Sequence, residues 1–321
     1  MRKIFLLFFI VFQCNAFADD LDINNILQIV RENCSDISDD LQEMKKIAGI
    51  NTAVTAVGTG TGIGAVATGI AKKNTDVKAE NLEIRLKKLR KIEAENPTLT
   101  SFQDYKGMLN SLPDYMDADA VLAKYSSLTE AISEDQKRLD ELTKKSENLG
   151  NWRTGLMAGT TATAVAGTAI SATNKVDEDL ETKVNNCINS VDKLREQIVI
   201  HKLNNEDVSY YQNIVDVCQD YKYIDLSVIN KRATGALVSS AVATTTGVTG
   251  TILSAISNSK KIRDDNSESG KEKEKNLNTS SNVLAAGTTI ASASSTVFNA
   301  LQIKEIKKVI ETAEKCSELL K

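Results

Sequence analysis

The chain has little of what a large globular core or an active site is usually built from. Among 321 residues there are two prolines, one histidine and one tryptophan. Five of the seven phenylalanines fall within the first 17 residues, which leaves Phe102, Phe298, seven tyrosines and Trp152 for everything beyond. Large aromatic side chains carry much of a compact core, so one big globule is excluded. Two prolines in this length also argue against a loop-rich β-sandwich. His201 alone provides no histidine pair for a metal site and no general base for most acid–base schemes. Beside an interhelical turn it is expected to cap carbonyls or face water.

The remaining motifs carry no chemistry either. The run GTGTGIG at 58–64 contains Gly60-x-Gly62, but no strand–helix fingerprint surrounds it and no Gly-Lys-Ser/Thr follows. Its expected role is close helix contact. Asp39-Asp40 and Asp264-Asp265 lack the spacing of a calcium loop. The lysines at 271–275 alternate with glutamates and read as a solvated loop. The chain is therefore expected to be non-enzymatic, with no cofactor, no metal and no small-molecule substrate.

What is present begins with a leader. Met1-Arg2-Lys3 precedes the apolar run IFLLFFIVF, and Ala16-Phe17-Ala18 offers a small-x-small cleavage site. Residues 1–18 thus read as a secretory signal peptide. Nine apolar residues are too few to anchor across a hydrocarbon core of about 30 Å, and Gln13 before Cys14 does not suit lipid attachment. Removing the leader leaves 37 basic and 43 acidic residues, a net charge of −6. That balance excludes a nucleic-acid role. It also leaves four cysteines, Cys34, Cys187, Cys218 and Cys316, whose even number in an exported chain predicts disulfides.

Four stretches, 47–71, 154–174, 233–259 and 276–303, contain no charge and hold thirteen of the sixteen glycines. Their small residues recur every four positions. The first stretch has Gly60 and Gly64; the second Gly155, Gly159 and Gly167; the third Gly235 and Gly247; the fourth Gly287. That spacing predicts helices whose small-residue stripes let backbones approach closely. The charged sequence between them shows the alternating three- and four-residue apolar spacing of a coiled-coil seam. One seam, from Ile23 through Cys34 to Ala48, leads into the first stretch. Another, from Leu128 to Trp152, leads into the second, with Asp135 and Ser146 at two seam positions.

The expected fold is all-α: an elongated antiparallel helical bundle of coiled-coil hairpins with Ala/Gly/Ser/Thr-rich central helices. A first hairpin spans 19–204, with a charged extension at about 72–150 that includes Pro97, Tyr105, Pro113 and Tyr115. A second spans 205–321, with a mobile charged tip at about 258–277. Each cysteine lies 13 to 15 residues from its uncharged stretch, about 20 Å along a helix. Up-and-down helices would bring all four sulfurs to one level. Cys187 and Cys218 flank a turn near 203–207 symmetrically, which favours Cys187–Cys218 with Cys34–Cys316. The alternative pairing is Cys34–Cys187 with Cys218–Cys316.

Two functions compete. The favoured one is an exported scaffold, spacer or binding module acting on a protein partner or on itself, because Thr, Ser and Gly make up roughly a third to a half of each uncharged stretch. The alternative is a membrane-inserting protein whose four small-residue helices form two transmembrane hairpins or a pore. Each stretch is long enough to span.

Overall fold

A computed structural model of the chain describes residues 22–95, 127–263 and 267–321. The expected leader, the segment from 97 to 113 and Asp264-Asp265 lie outside the described residues. Among the described residues every regular element is helical, and the fold is an all-α helical bundle. The helices are α1 (Ile23–Cys34), α2 (Ile37–Glu95), α3 (Leu128–Thr173), α4 (Glu178–Leu203), α5 (Ser209–Cys218), α6 (Leu226–Ser257), α7 (Lys260–Arg263) and α8 (Glu268–Leu320), with a 3₁₀ turn at Gln219–Tyr223. The four uncharged stretches lie within the long helices α2, α3, α6 and α8, apart from Asn174 and the last two residues of the third.

The chain separates into two compact units, and each draws on both halves of the sequence. Unit 1 takes the described residues up to Ala53, Gly167–Val238 and Ser294–Lys321; unit 2 takes the described parts of Val54–Ala166 and Ser239–Ala293.

Unit 1 has a conventional apolar core. Ile23, Val30, Ile37 and Leu41 pack with Val184, Val191, Leu194 and Ile198, with Ile214 and Tyr221, and with Ile306 and Leu320. All four cysteines belong to this cluster and are fully buried. They form Cys34–Cys187 and Cys218–Cys316, with Cα atoms 5.0 and 4.9 Å apart. The favoured pairing of Cys187 with Cys218 is therefore corrected to the alternative one. Symmetry about the turn sets the level of a cysteine along its helix but not the direction its Cβ points. In α4 the buried row Leu180, Val184, Cys187, Val191, Leu194 and Ile198 faces α1. Each disulfide thus ties the incoming and outgoing helices of one sequence half.

The incoming seams are also interrupted, where unbroken helices were expected. α1 stops at Cys34 and α5 at Cys218. Asp36 accepts from the Ser35 hydroxyl at 2.9 Å, and Asp225 accepts from the Ser227 amide at 2.9 Å. The Asp225 carboxylate thus takes a backbone amide as partner, as short polar side chains do at helix ends.

Unit 2 is a ring of four antiparallel neighbours. As α2 rises through Thr61, Asp76, Arg85 and Glu93, its partners on α3 fall through Thr160, Ser146, Asp135 and Thr129. α3 meets α6 at Thr161–Thr251 and Thr154–Ser254, and α6 meets α8 at Thr246–Thr288 and at the Gly250 carbonyl, which accepts from Ser281. α8 closes the ring on α2 through Glu274–Lys72 and Lys271–Glu83. This is an up-down-up-down bundle. The charged tip differs from the expected loop, because α8 already begins at Glu268. Ion pairs to α2 recruit those residues into the helix.

Candidate functional site

The inward face of unit 2 is built from small and polar side chains. Along α6 the buried positions are Ser240, Ala243, Gly247, Gly250, Ser254 and Ser257; along the uncharged part of α8 they are Ser281, Ala285, Thr288, Ala291 and Ser292. The spacing alternates three and four, so the heptad rhythm of the charged seams runs on through the uncharged stretches. Hydroxyls facing inward are satisfied across the bundle, as in Thr61–Thr160 at 2.9 Å and Thr161–Thr251 at 3.1 Å, or by the carbonyl four residues back. Within the uncharged stretches of unit 2 the buried apolar residues are alanines plus Met157, whereas the charged part of the unit buries Leu86, Leu89, Ile92 and Leu128.

The outward face is the reverse. Val57, Ile63 and Ile70 on α2, Val242, Val248, Ile252 and Ile256 on α6, and Val283 and Ile290 on α8 are all exposed, Ile290 by 68%. Fully burying such a side chain is worth about 1.5–3 kcal/mol, and roughly half of that is forgone at each position in water. Among the described residues two helical stretches, within Ile23–Glu95 and Ser209–Ser257, are long and apolar enough to cross a membrane by length and composition. Only 28% of each apolar window is buried, so most of its side chains face outward.

The glycines divide between the two faces. A Cβ on Gly247 would lie 2.7 Å from the Thr161 hydroxyl, one on Gly235 would lie 2.8 Å from the Phe298 ring, and Gly64 meets Leu156 at 3.3 Å. Gly167 is buried. By contrast Gly60, Gly155, Gly159 and Gly287 face open space. The reason is geometric: a four-residue step overshoots one turn by about 40°. A strict every-four stripe therefore drifts around the helix, from exposed Gly155 to buried Gly167 and Ser171. The closest approaches missed by that reading are at Gly58, Gly62, Gly69, Gly150 and Gly250. The three-and-four rhythm would have found them.

Polar side chains end the uncharged interior. Lys72, 3% exposed, donates to Asp76 at 2.9 Å and to Glu274 at 3.1 Å. The buried Arg153 donates to Ser254 and to Asn278, both at 3.2 Å. Further out, the hydrogen bond from Lys271 holds the Glu83 carboxyl below its usual range, against the opposing effect of burial. The two polar seam residues find partners on α2: Asp135 pairs with Arg85 at 2.8 Å, and the Ser146 hydroxyl donates to Asp76. His201 sits at the α4–α5 turn with its Nδ1 2.6 Å from Glu206.

Comparison with protein-family models, curated proteins and solved structures finds no match for this chain.

Proposed function

We propose that the protein is an exported, non-enzymatic membrane protein whose four uncharged helices insert into a bilayer as two helical hairpins. The observation that carries this is the inversion in the uncharged part of unit 2, with hydroxyls and glycines inside and valines and isoleucines outside. Lipid tails are as apolar as Val and Ile, so helices in a bilayer associate through small residues and interhelical hydrogen bonds instead of apolar burial. Helical backbones meet the bilayer's demand for internal hydrogen bonding. The shortest uncharged stretch, 21 residues at 154–174, spans about 30 Å. The two disulfides fit an oxidising compartment, in keeping with the leader at 1–18.

A second reading, a protein-contact module, starts from the same exposed surface and covers it with a partner or a second copy. Trp152 separates the two. It is the single tryptophan, it lies two residues before the second uncharged stretch, and it is 70% exposed. On mixing with vesicles, its emission is expected to shift to the blue and to be quenched by lipids brominated on their acyl chains. Unchanged emission with every lipid tested would remove the membrane reading and leave the contact module.

A further inference from the structure

Every uncharged stretch is bracketed by a basic residue at both ends: Lys46 and Lys72, Arg153 and Lys175, Arg232 and Lys260, Lys275 and Lys304. Two of these cations turn inward. Lys72 and Arg153 are buried within unit 2, and Lys72 is held by two carboxylates. The group in unit 1 is different. Lys46, Lys175, Lys231 and Lys304 are exposed, and Lys45 and Arg232 are half-buried. None of the six makes an ion pair among the described residues.

These cations share one level. Asn51 donates to Ser171 at 2.7 Å and to Asn299 at 3.1 Å, which fixes α2, α3 and α8 in one layer. Lys46, Lys175 and Lys304 lie five, four and five residues from that layer, all on the same side of it. The fourth helix joins through Asn230, whose Oδ1 accepts from the Val176 amide at 2.8 Å and places the adjacent Lys231 beside Lys175. Of the carboxylates nearby, Asp177 accepts from the Leu180 amide, Glu305 from Lys308 and Asp40 from Lys183, while Asp225 accepts from the Ser227 amide and also feels the charge of Lys231. One to two turns along the helices, exposed aliphatics begin with Ile50, Val238 and Val297. A ring of ammonium groups without direct ion pairs, bordering an apolar surface, is complementary to a layer of phosphates above hydrocarbon.

We propose that this collar of Lys46, Lys175, Lys231 and Lys304, with Lys45 and Arg232 behind it, binds the headgroup phosphates of anionic lipids and so sets the depth of insertion. The inference rests on the membrane reading and adds the lipid class to it. Each Lys or Arg near an anionic surface contributes about a fivefold gain in binding, reduced by added salt.

The test uses the mature chain with both disulfides intact. Its binding is measured to vesicles of phosphatidylcholine and to vesicles of equal parts phosphatidylcholine and phosphatidylglycerol. Tighter binding to the anionic vesicles is expected. Lys46→Gln, Lys175→Gln, Lys231→Gln and Lys304→Gln combined should abolish that preference, a loss on the order of several hundredfold. The same change at exposed Lys87, Lys91, Lys144 and Lys145 should leave it in place. Equal binding to both vesicles, or equal losses from the two sets of substitutions, would overturn the collar while the membrane reading stands. Competition by inorganic phosphate at matched ionic strength would make the ligand a free anion and also overturn it. Binding to neither vesicle would instead remove the membrane reading.

Discussion

Asp135→Ala is expected to destabilise unit 2 by about 3 kcal/mol, the lower end of the range for breaking a buried ion pair by removing one partner. Asp135 is fully buried, and its carboxylate lies 2.8 Å from Arg85, whose side chain is 19% exposed. Truncation leaves the guanidinium partly desolvated with its charge uncompensated. The lower end applies because Arg85 retains some access to water. Urea unfolding with matched slopes gives the number. Converting both residues to leucine should recover most of the loss, since a well-packed apolar pair of similar volume is often as stable as the ionic one. What such a variant would lose is register, because Asp135–Arg85 and Ser146–Asp76 are specific polar matches between α2 and α3. A loss under about 1 kcal/mol, the size found for exposed pairs, would contradict the buried placement.

Removing Cys34–Cys187 by paired serine substitution is expected to cost about 2–5 kcal/mol. The same change at Cys218–Cys316 should cost slightly less, because the closed segment spans 98 residues instead of 153 and loop entropy grows only slowly with length. The effect should be local first. α1 has 12 residues and α5 has 10, each separated from the following long helix by a break. Helices this short are marginal alone, so hydrogen exchange in 23–34 and 209–218 should accelerate before the long helices respond. Peptide mapping of the oxidised chain should recover Cys34 with Cys187. Recovery of Cys187 joined to Cys218 would contradict the fold of unit 1.

Much of the architecture was legible in the sequence. Charge-free stretches inside charged, periodic sequence marked the four long helices, and similar offsets pointed to Cys34, Cys187, Cys218 and Cys316 as partners, which share one buried cluster. Level is a property of chain position, whereas pairing depends on rotation about each helix axis, which symmetry about a turn does not fix. The stripe was readable only in part. A four-residue repeat and a three-and-four repeat agree over two turns and diverge over five, so Gly247 and Gly167 fall inside while Gly60 and Gly155 do not. Asp135 and Ser146 stood out as seam interruptions, but their partners Arg85 and Asp76 become identifiable only once the antiparallel register is known. The inversion of polarity was the least visible feature. Thr and Ser content lowered the apparent hydrophobicity of each stretch, and only the fold reveals that those hydroxyls turn inward and leave Val and Ile outside.

Ile63 and Ile290 supply the most direct measurement of that inversion, being 57% and 68% exposed on α2 and α8. Changing both to lysine should leave thermal stability in water within about 0.5 kcal/mol per site, as for ordinary surface substitutions. In a bilayer each lysine near the middle of a span costs about 2.5–3.5 kcal/mol. The expected result is a chain that folds as before but no longer inserts into vesicles. Vesicle insertion unchanged by both lysines would contradict the assignment of these helices to lipid.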